Sequence, residues 1–278
     1  MMRKEKLSGH LIALTLVLPS LAAAQTSGAV HPLIEKDFFV GAGVFFPDKN
    51  FTLSVDGSVP NEDIEFDEVF KVDDNEATTA AELRWRFGEK WSVQAQYWRV
   101  SDGGASSLEE DVEWEDVVFE KGSNVAAGVE LDVARLFFGR RFIANDNQEF
   151  GLGLGVHWLE VSAFMQGEIF TSVGDSEFYR GAVKADAPLP NIGGWYTYAW
   201  SPRWAFVSRL DWLSASIGDY SGGLWNVQAG VNWAVSDHIG IFGAWNYFGL
   251  DIDVDKSDWR GSVDIAQNGP YLGLTVSW

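Results

Sequence analysis

The chain has 278 residues, 46% of them hydrophobic, with 29 Gly, 14 Trp, no Cys and a formal charge of −20. That charge argues against a nucleic-acid partner, because phosphate contacts need a basic surface. The lack of Cys removes both a disulfide framework and a lipid-modified terminus. A mean hydropathy of −0.06 is too polar for a helical membrane bundle and is what strands with one apolar and one polar face average to.

In chain order, Arg3, Lys4 and Lys6 precede an apolar run from Leu11 to Leu21 and then Ala22-Ala23-Ala24, the basic, apolar and small-residue order of a cleaved export signal. The run is shorter than a membrane-spanning helix needs, and nowhere after it do about eighteen apolar residues follow one another. Loss of Arg3, Lys4, Glu5 and Lys6, a net +2, takes the formal charge to −22. The expected organisation is a signal peptide over 1–24, a periplasmic segment over 25–36 and an outer-membrane β-barrel over 37–278.

Period-two segments long enough to cross a membrane at a tilt follow. They cover Asp37 to Phe46, Thr78 to Phe87, Trp91 to Ser101, Val125 to Phe142, Glu149 to Val161, Pro190 to Trp200, Arg203 to Ser214, Gly223 to Val235, His238 to Leu250 and Gly269 to Trp278. The connections alternate strictly. Those at Gly88, Ile143, Ser201 and Ser236 are short, whereas those opening at Pro47, Asp102, Ser162, Ala215 and Asp251 are mostly long. Short periplasmic turns alternating with long outer loops are the signature of an all-β, antiparallel, up-and-down transmembrane barrel. The count is about ten strands; eight follows if one pairing is misread. Trp85, Phe87, Trp91, Phe142, Phe150, Trp200, Trp204, Trp233 and Trp278 fall beside the short turns or the C-terminus. Trp98, Trp158, Trp212, Trp225 and Trp245 fall towards the loops, so aromatic girdles are expected at both interfaces. Leu272, Leu274, Val276 and Trp278 form one face of the last strand, and its terminal aromatic looks like an assembly signal in which Trp replaces the usual Phe.

Placing the apolar faces outward sends a defined polar set inward: Glu82, Arg84, Arg86, Gln94, Gln96, Arg135, His157, Arg209, Asp211, Asn226 and Gln228. The alternation is least clean around Arg135. Barrels near eight strands are just filled by side chains and wide aqueous channels need about 16 to 18, so this cluster reads as a lumenal plug. A narrow, porin-like small-solute channel is the alternative. Gly41, Gly43 and Gly151 to Gly155 fit the plug by making room for long side chains opposite.

Carboxylates gather in the expected outer loops, including Glu62 to Glu76, Glu109 to Glu120 and Asp251 to Asp264. Asp251, Asp253 and Asp255 resemble the start of a calcium loop, but Lys256 replaces the turn Gly and Ser262 the terminal Glu, so this is no EF-hand. Calcium shared between loops is the one cofactor the pattern admits. Omptin-type proteases are also ten-stranded, yet His157 sits mid-lumen and His238 at a periplasmic turn, so no catalytic residues are assigned and an enzyme is not expected.

The segments Ala187 to Pro190, Ser201 to Trp204, Gly218 to Gly222, Asn246 to Asp253 and Asn268 to Tyr271, with Gly41 to Pro47 and Leu83 to Phe87, resemble in their order a family of small, uncharacterised outer-membrane β-barrel proteins from Proteobacteria. The resemblance implies a barrel and no activity. The reading is a monomer in the outer membrane, structural or surface-interacting through its acidic loops. Its expected partners are outer-membrane lipid, lipopolysaccharide and the assembly machinery.

Overall fold

The computed structural model describes residues 30–56, 64–65, 77–108, 112–114, 117–170, 176–217, 220–255 and 260–278. The expected signal peptide and most acidic residues of the first two outer connections lie outside them. A four-residue turn of helix, α1 (Pro32–Glu35), precedes the strands. These are β1 (Phe38–Phe45), β2 (Asp48–Asp56), β3 (Ile64–Glu65), β4 (Thr78–Phe87), β5 (Trp91–Ser107), β6 (Val112–Trp114) and β7 (Val117–Phe119). The remainder are β8 (Asn124–Ala144), β9 (Gln148–Phe170), β10 (Ser176–Ser201), β11 (Trp204–Ile217), β12 (Tyr220–Ala234), β13 (Ile239–Asp255) and β14 (Arg260–Ser277).

Ten of these close a barrel in the order β1, β4, β5, β8 to β14, with β1 pairing β14 antiparallel from Phe39–Ser277 to Phe45–Tyr271. Closure pairs every one of these ten strands with a neighbour on both sides. β2 continues β1 past the Phe46-Pro47 break and lies along the far half of β14, from Asp48–Asn268 to Asp56–Arg260. The small hairpin β6–β7 belongs to the connection between β5 and β8.

The start of β1, the C-terminus and four tight turns share one end. Side-chain oxygens build three of these turns: Asn145 Oδ1 accepts from the Asn147 and Gln148 amides, Ser201 Oγ from Arg203 and Trp204, and Ser236 Oγ from His238 and Ile239. The fourth places Gly88 at φ 57°, where a side chain would be strained. At the far end the structure corrects the expected loops. β9 and β10 pair continuously from Gln148–Tyr198 out to Phe170–Ser176, and β13 and β14 to Asp255–Arg260, so residues read as loops after Ser162 and Asp251 are mostly strand. Strands of 23 and 26 residues exceed the roughly 9–11 that cross a membrane, and the barrel therefore projects well beyond one.

The outer surface near the turn end is an apolar belt. On β9 it runs from Phe150 to Trp158, with Leu154 65% exposed, and on β14 Leu272, Leu274 and Val276 point outward. Stacked rings edge it: Phe38 lies between Trp85 and Trp278 at 5.7 and 5.5 Å, and Trp204 between Trp200 and Trp233 at 6.4 and 5.9 Å. Just past the belt the exterior turns ionic, with Arg99 Nε 2.8 Å from Asp132 and Lys184 2.6 Å from Glu160. The hydrogen bond and charge of Asp132 hold the Arg99 guanidinium above its ordinary range. Trp98 is a second correction: only 5% exposed, it faces the interior and meets Phe248 edge-on at 5.6 Å, so it belongs to no girdle.

Candidate functional site: the layered lumen

At the turn end the lumen meets α1. His31 caps the turn, its Nδ1 accepting from the Leu33 amide at 3.1 Å, while Pro32 and Leu33 are buried. Two arginines of β4 bind the carbonyls that the short helix leaves free, as the negative end of a helix favours. Arg84 Nη2 donates to Leu33 O at 2.8 Å; Arg86 donates to Leu33 O at 2.5 Å, Ile34 O at 2.9 Å and Lys36 O at 2.8 Å. Glu149, the first inward residue of β9, pairs with Arg86 at 2.7 Å and accepts from Trp195 Nε1 at 2.6 Å. Arg141 stands 3.7 Å from the same carboxylate. The Trp195 ring is accommodated only because Gly139 and Gly151 lack side chains; a Cβ on Gly151 would lie 2.2 Å from it. Burial, with a smaller push from the Arg84 charge, takes the His31 imidazole down to about 4.

A second layer lies deeper. Arg135 of β8 reaches Asp211 of β11, Nη2 donating to Oδ1 and Nε facing Oδ2, each at 2.7 Å. Asn191 and Asn226 donate to the two Asp211 oxygens at 3.2 and 3.3 Å. His157 sits between the amides, Nδ1 3.1 Å from Asn191 Oδ1 and Nε2 3.1 Å from Asn226 Nδ2, which suits a ring with its proton on Nδ1. Arg209 Nη2 donates to Gln96 Oε1 at 2.6 Å, and its Nε lies 3.7 Å from Asp211. His157 and Asp211 are fully buried.

Between these layers is a cavity of about 60 Å³ lined by Arg84, Arg209, Glu82, Gln94, Gln228 and Asn232 among others. Every polar residue expected inside therefore faces the lumen, but the structure divides the set: Arg84 and Arg86 serve the turn, whereas Gln96, Arg135, His157, Arg209, Asp211 and Asn226 form the deeper network. Beyond that network the expectation of a polar lumen is corrected. The far half is packed with Trp98, Val100, Leu131, Val133, Leu159 and Phe248, joined by Phe119 from β7, which is wholly buried.

Glu149, Asn191, Trp195, Arg141 and α1 were not anticipated. Glu149 was legible by extending the inward Gly151–Gly153–Gly155 series back one step. Asn191 and Trp195 were not, because β10 carries aromatics on both faces. Asp251, Asp253 and Asp255 lie on β13, one face of a strand and not a loop, and the side chains of the last two fall outside the described residues. Among the described residues no group of three His, Asp or Glu converges to hold a metal ion.

Within the deeper layer Asp211 and His157 are fully engaged, whereas Arg135 and Arg209 keep buried donors without an acceptor. Asp211 accepts from Arg135, Asn191 and Asn226, both His157 nitrogens are engaged, and no hydroxyl nucleophile contacts them among the described residues. No protein-family model matches the sequence, and no curated protein matches it. Among solved structures the chain is similar to the outer-membrane protease OmpT from Escherichia coli, at a TM-score of 0.56 and 12% identity, covering 88% of this chain and 97% of that one. OprG from Pseudomonas aeruginosa aligns at a TM-score of 0.39 and 11% identity over 91% and 99% of the two chains. Ail from Yersinia pestis does so at 0.28 and 10%, over 85% and 99%. At such identities the OmpT likeness is one of fold, and that fold is the closed antiparallel barrel of outer-membrane proteins.

Proposed function

We propose that this is an integral outer-membrane protein, exported by a signal peptide over 1–24 and folded as a monomeric barrel with a plugged lumen. Its role is structural or surface-interacting. The reading is supported by the Arg135–Asp211–His157–Asn191–Asn226 layer, which links β8, β9, β10, β11 and β12 through side chains that occupy the interior. The turn end is periplasmic, with α1 closing its mouth, and the projecting hairpins are extracellular. The apolar belt supports lipid as the surrounding medium, and the ion pairs just beyond it suit the headgroup level of lipopolysaccharide. The saturated His157 and Asp211, with His31 buried at the mouth and His238 at a turn, support a non-catalytic protein despite the fold shared with a protease.

Single-channel recording of purified protein in planar bilayers tests the plug. A silent bilayer is expected; steady, reproducible conductance steps would instead establish the small-solute channel. Calcium binding by the acidic extracellular hairpins, Asp251, Asp253 and Asp255 included, is proposed from the density of carboxylates alone. Limited proteolysis of intact cells with calcium and with chelator checks it, with identical cleavage between Val59 and Glu76 counting against it.

A further inference from the structure

We propose that the cavity between the two lumenal layers binds one small monovalent anion, of halide or nitrate size, between Arg84 and Arg209. The first ground is an incomplete ion balance. Five arginines face the lumen: Arg84, Arg86, Arg135, Arg141 and Arg209. Glu149 serves Arg86 and Arg141, at 2.7 and 3.7 Å, and Asp211 serves Arg135 and Arg209, also at 2.7 and 3.7 Å. Arg84 has no carboxylate within 4.0 Å among the described residues. Its one hydrogen bond goes to Leu33 O, and it lies over the Phe39 ring at 5.3 Å. Counting Glu82 and, at the mouth, Asp37, the lumen is still one negative charge short.

The second ground is that two guanidinium groups meet at the cavity. Arg84 and Arg209 both line it at 9% and 8% exposure, and the Nε of each, buried away from it, lacks a hydrogen-bond acceptor. Gln94, Gln228 and Asn232 add amide groups to the same wall. Glu82 also lines the cavity but is drawn flat over Gly41: a Cβ on that glycine would come within 2.8 Å of Glu82 Cγ and 2.9 Å of its Oε1. A buried guanidinium with open donors is costly unless a counter-charge completes it. About 60 Å³ is several times the roughly 10–15 Å³ one water needs, so a small anion with its own water fits.

Crystals of the purified protein grown in sodium bromide provide the test. An anomalous peak within contact distance of Arg84 and Arg209 is expected, and it should vanish in Arg84→Gln and in Arg209→Gln. In detergent, the unfolding midpoint of the wild type should rise with the logarithm of nitrate concentration relative to gluconate at equal ionic strength. The variants should lose most of that dependence. A cavity holding only water density in bromide overturns the proposal, as does a peak that persists unchanged in both variants, which would mark an adventitious ion only. If neither variant folds, the presence or absence of the wild-type bromide peak decides alone.

Discussion

Replacing Arg86 by Ala should destabilise the barrel by about 3 kcal/mol and free its N-terminal turn. Arg86 is 1% exposed and sits at the centre of four contacts: the Glu149 carboxylate at 2.7 Å and the carbonyls of Leu33, Ile34 and Lys36. Without it Glu149 remains buried with only Trp195 Nε1 and Arg141, the latter 3.7 Å away. Breaking one partner out of a buried pair typically costs about 3–5 kcal/mol, and the nearby Arg141 places this case at the lower end. Lys90, in the exposed turn after β4, should cost about 0–1 kcal/mol on the same change. Urea unfolding of the detergent-solubilised barrel, followed by Trp fluorescence, gives both numbers. Adding Glu149→Gln to Arg86→Ala should recover part of the loss, because the stranded charge is removed with its partner. Trypsin should cut after Lys36 faster in Arg86→Ala than in the wild type. Equal midpoints for Arg86→Ala and Lys90→Ala would show that the turn and its arginines contribute nothing to the fold.

Trp278→Asp should abolish assembly, since the ring stacked on Phe38 at 5.5 Å and the terminal lipid-facing anchor are both lost; normal amounts of heat-modifiable barrel would contradict this. Gly151→Val should prevent native packing of Trp195, reporting as a loss of near-ultraviolet circular dichroism and a destabilisation of more than about 2 kcal/mol from overpacking and the displaced indole. Docking of the N-terminal turn should weaken with acidity. The His31 ring titrates near 4 when docked and near 6.5 when free, so stability present above about pH 6.5 is lost as pH falls towards 4 and changes no further below it. That loss is at most about 3 kcal/mol. Hydrogen exchange at the Leu33 amide between pH 7 and 4.5 follows it, and His31→Gln should flatten the profile.

The number of strands was legible because turns and alternation are both local properties. Asn145, Ser201 and Ser236 each write their own turn through one side-chain oxygen, and the register of β1 on β14 follows once their apolar faces must meet lipid. The inward polar set was legible for the same reason. What α1 does was not. Its docking depends on Arg84 and Arg86, some fifty residues away in sequence, and nothing in Pro32 to Glu35 marks those carbonyls as acceptors. Nor did the pattern reveal which inward residues would meet, because Arg135 and Asp211 are three strands apart around the barrel.

The disturbed alternation around Arg135 has a specific cause. Along β8 from Val129 to Arg141, short of the bulge at Arg141–Ile143, the facing of side chains keeps one phase, but the solvent on each side does not. Towards the turn end Leu136 and Phe138 point out and Arg135 points in; towards the far end Glu130 and Asp132 point out and Leu131 and Val133 point in. β9 makes the same exchange, from Leu152, Leu154 and Trp158 outside with His157 inside, to Glu160 outside with Leu159 and Met165 inside. A barrel wall in lipid is stable with its apolar face outward, whereas a barrel wall in water needs an apolar core like any soluble sheet. One continuous strand must therefore invert its polarity where it leaves the membrane. The paired residues Ala134–Trp158 and Asp132–Glu160 fix that level to within two residues on adjacent strands. Period two from the inward Gln94 and Gln96 points Trp98 inward as well, so its place towards the loops, which suggests a girdle, is overridden by the phase of β5. At the level where its neighbour Arg99 pairs with Asp132 the interior is apolar, and Trp98 is core.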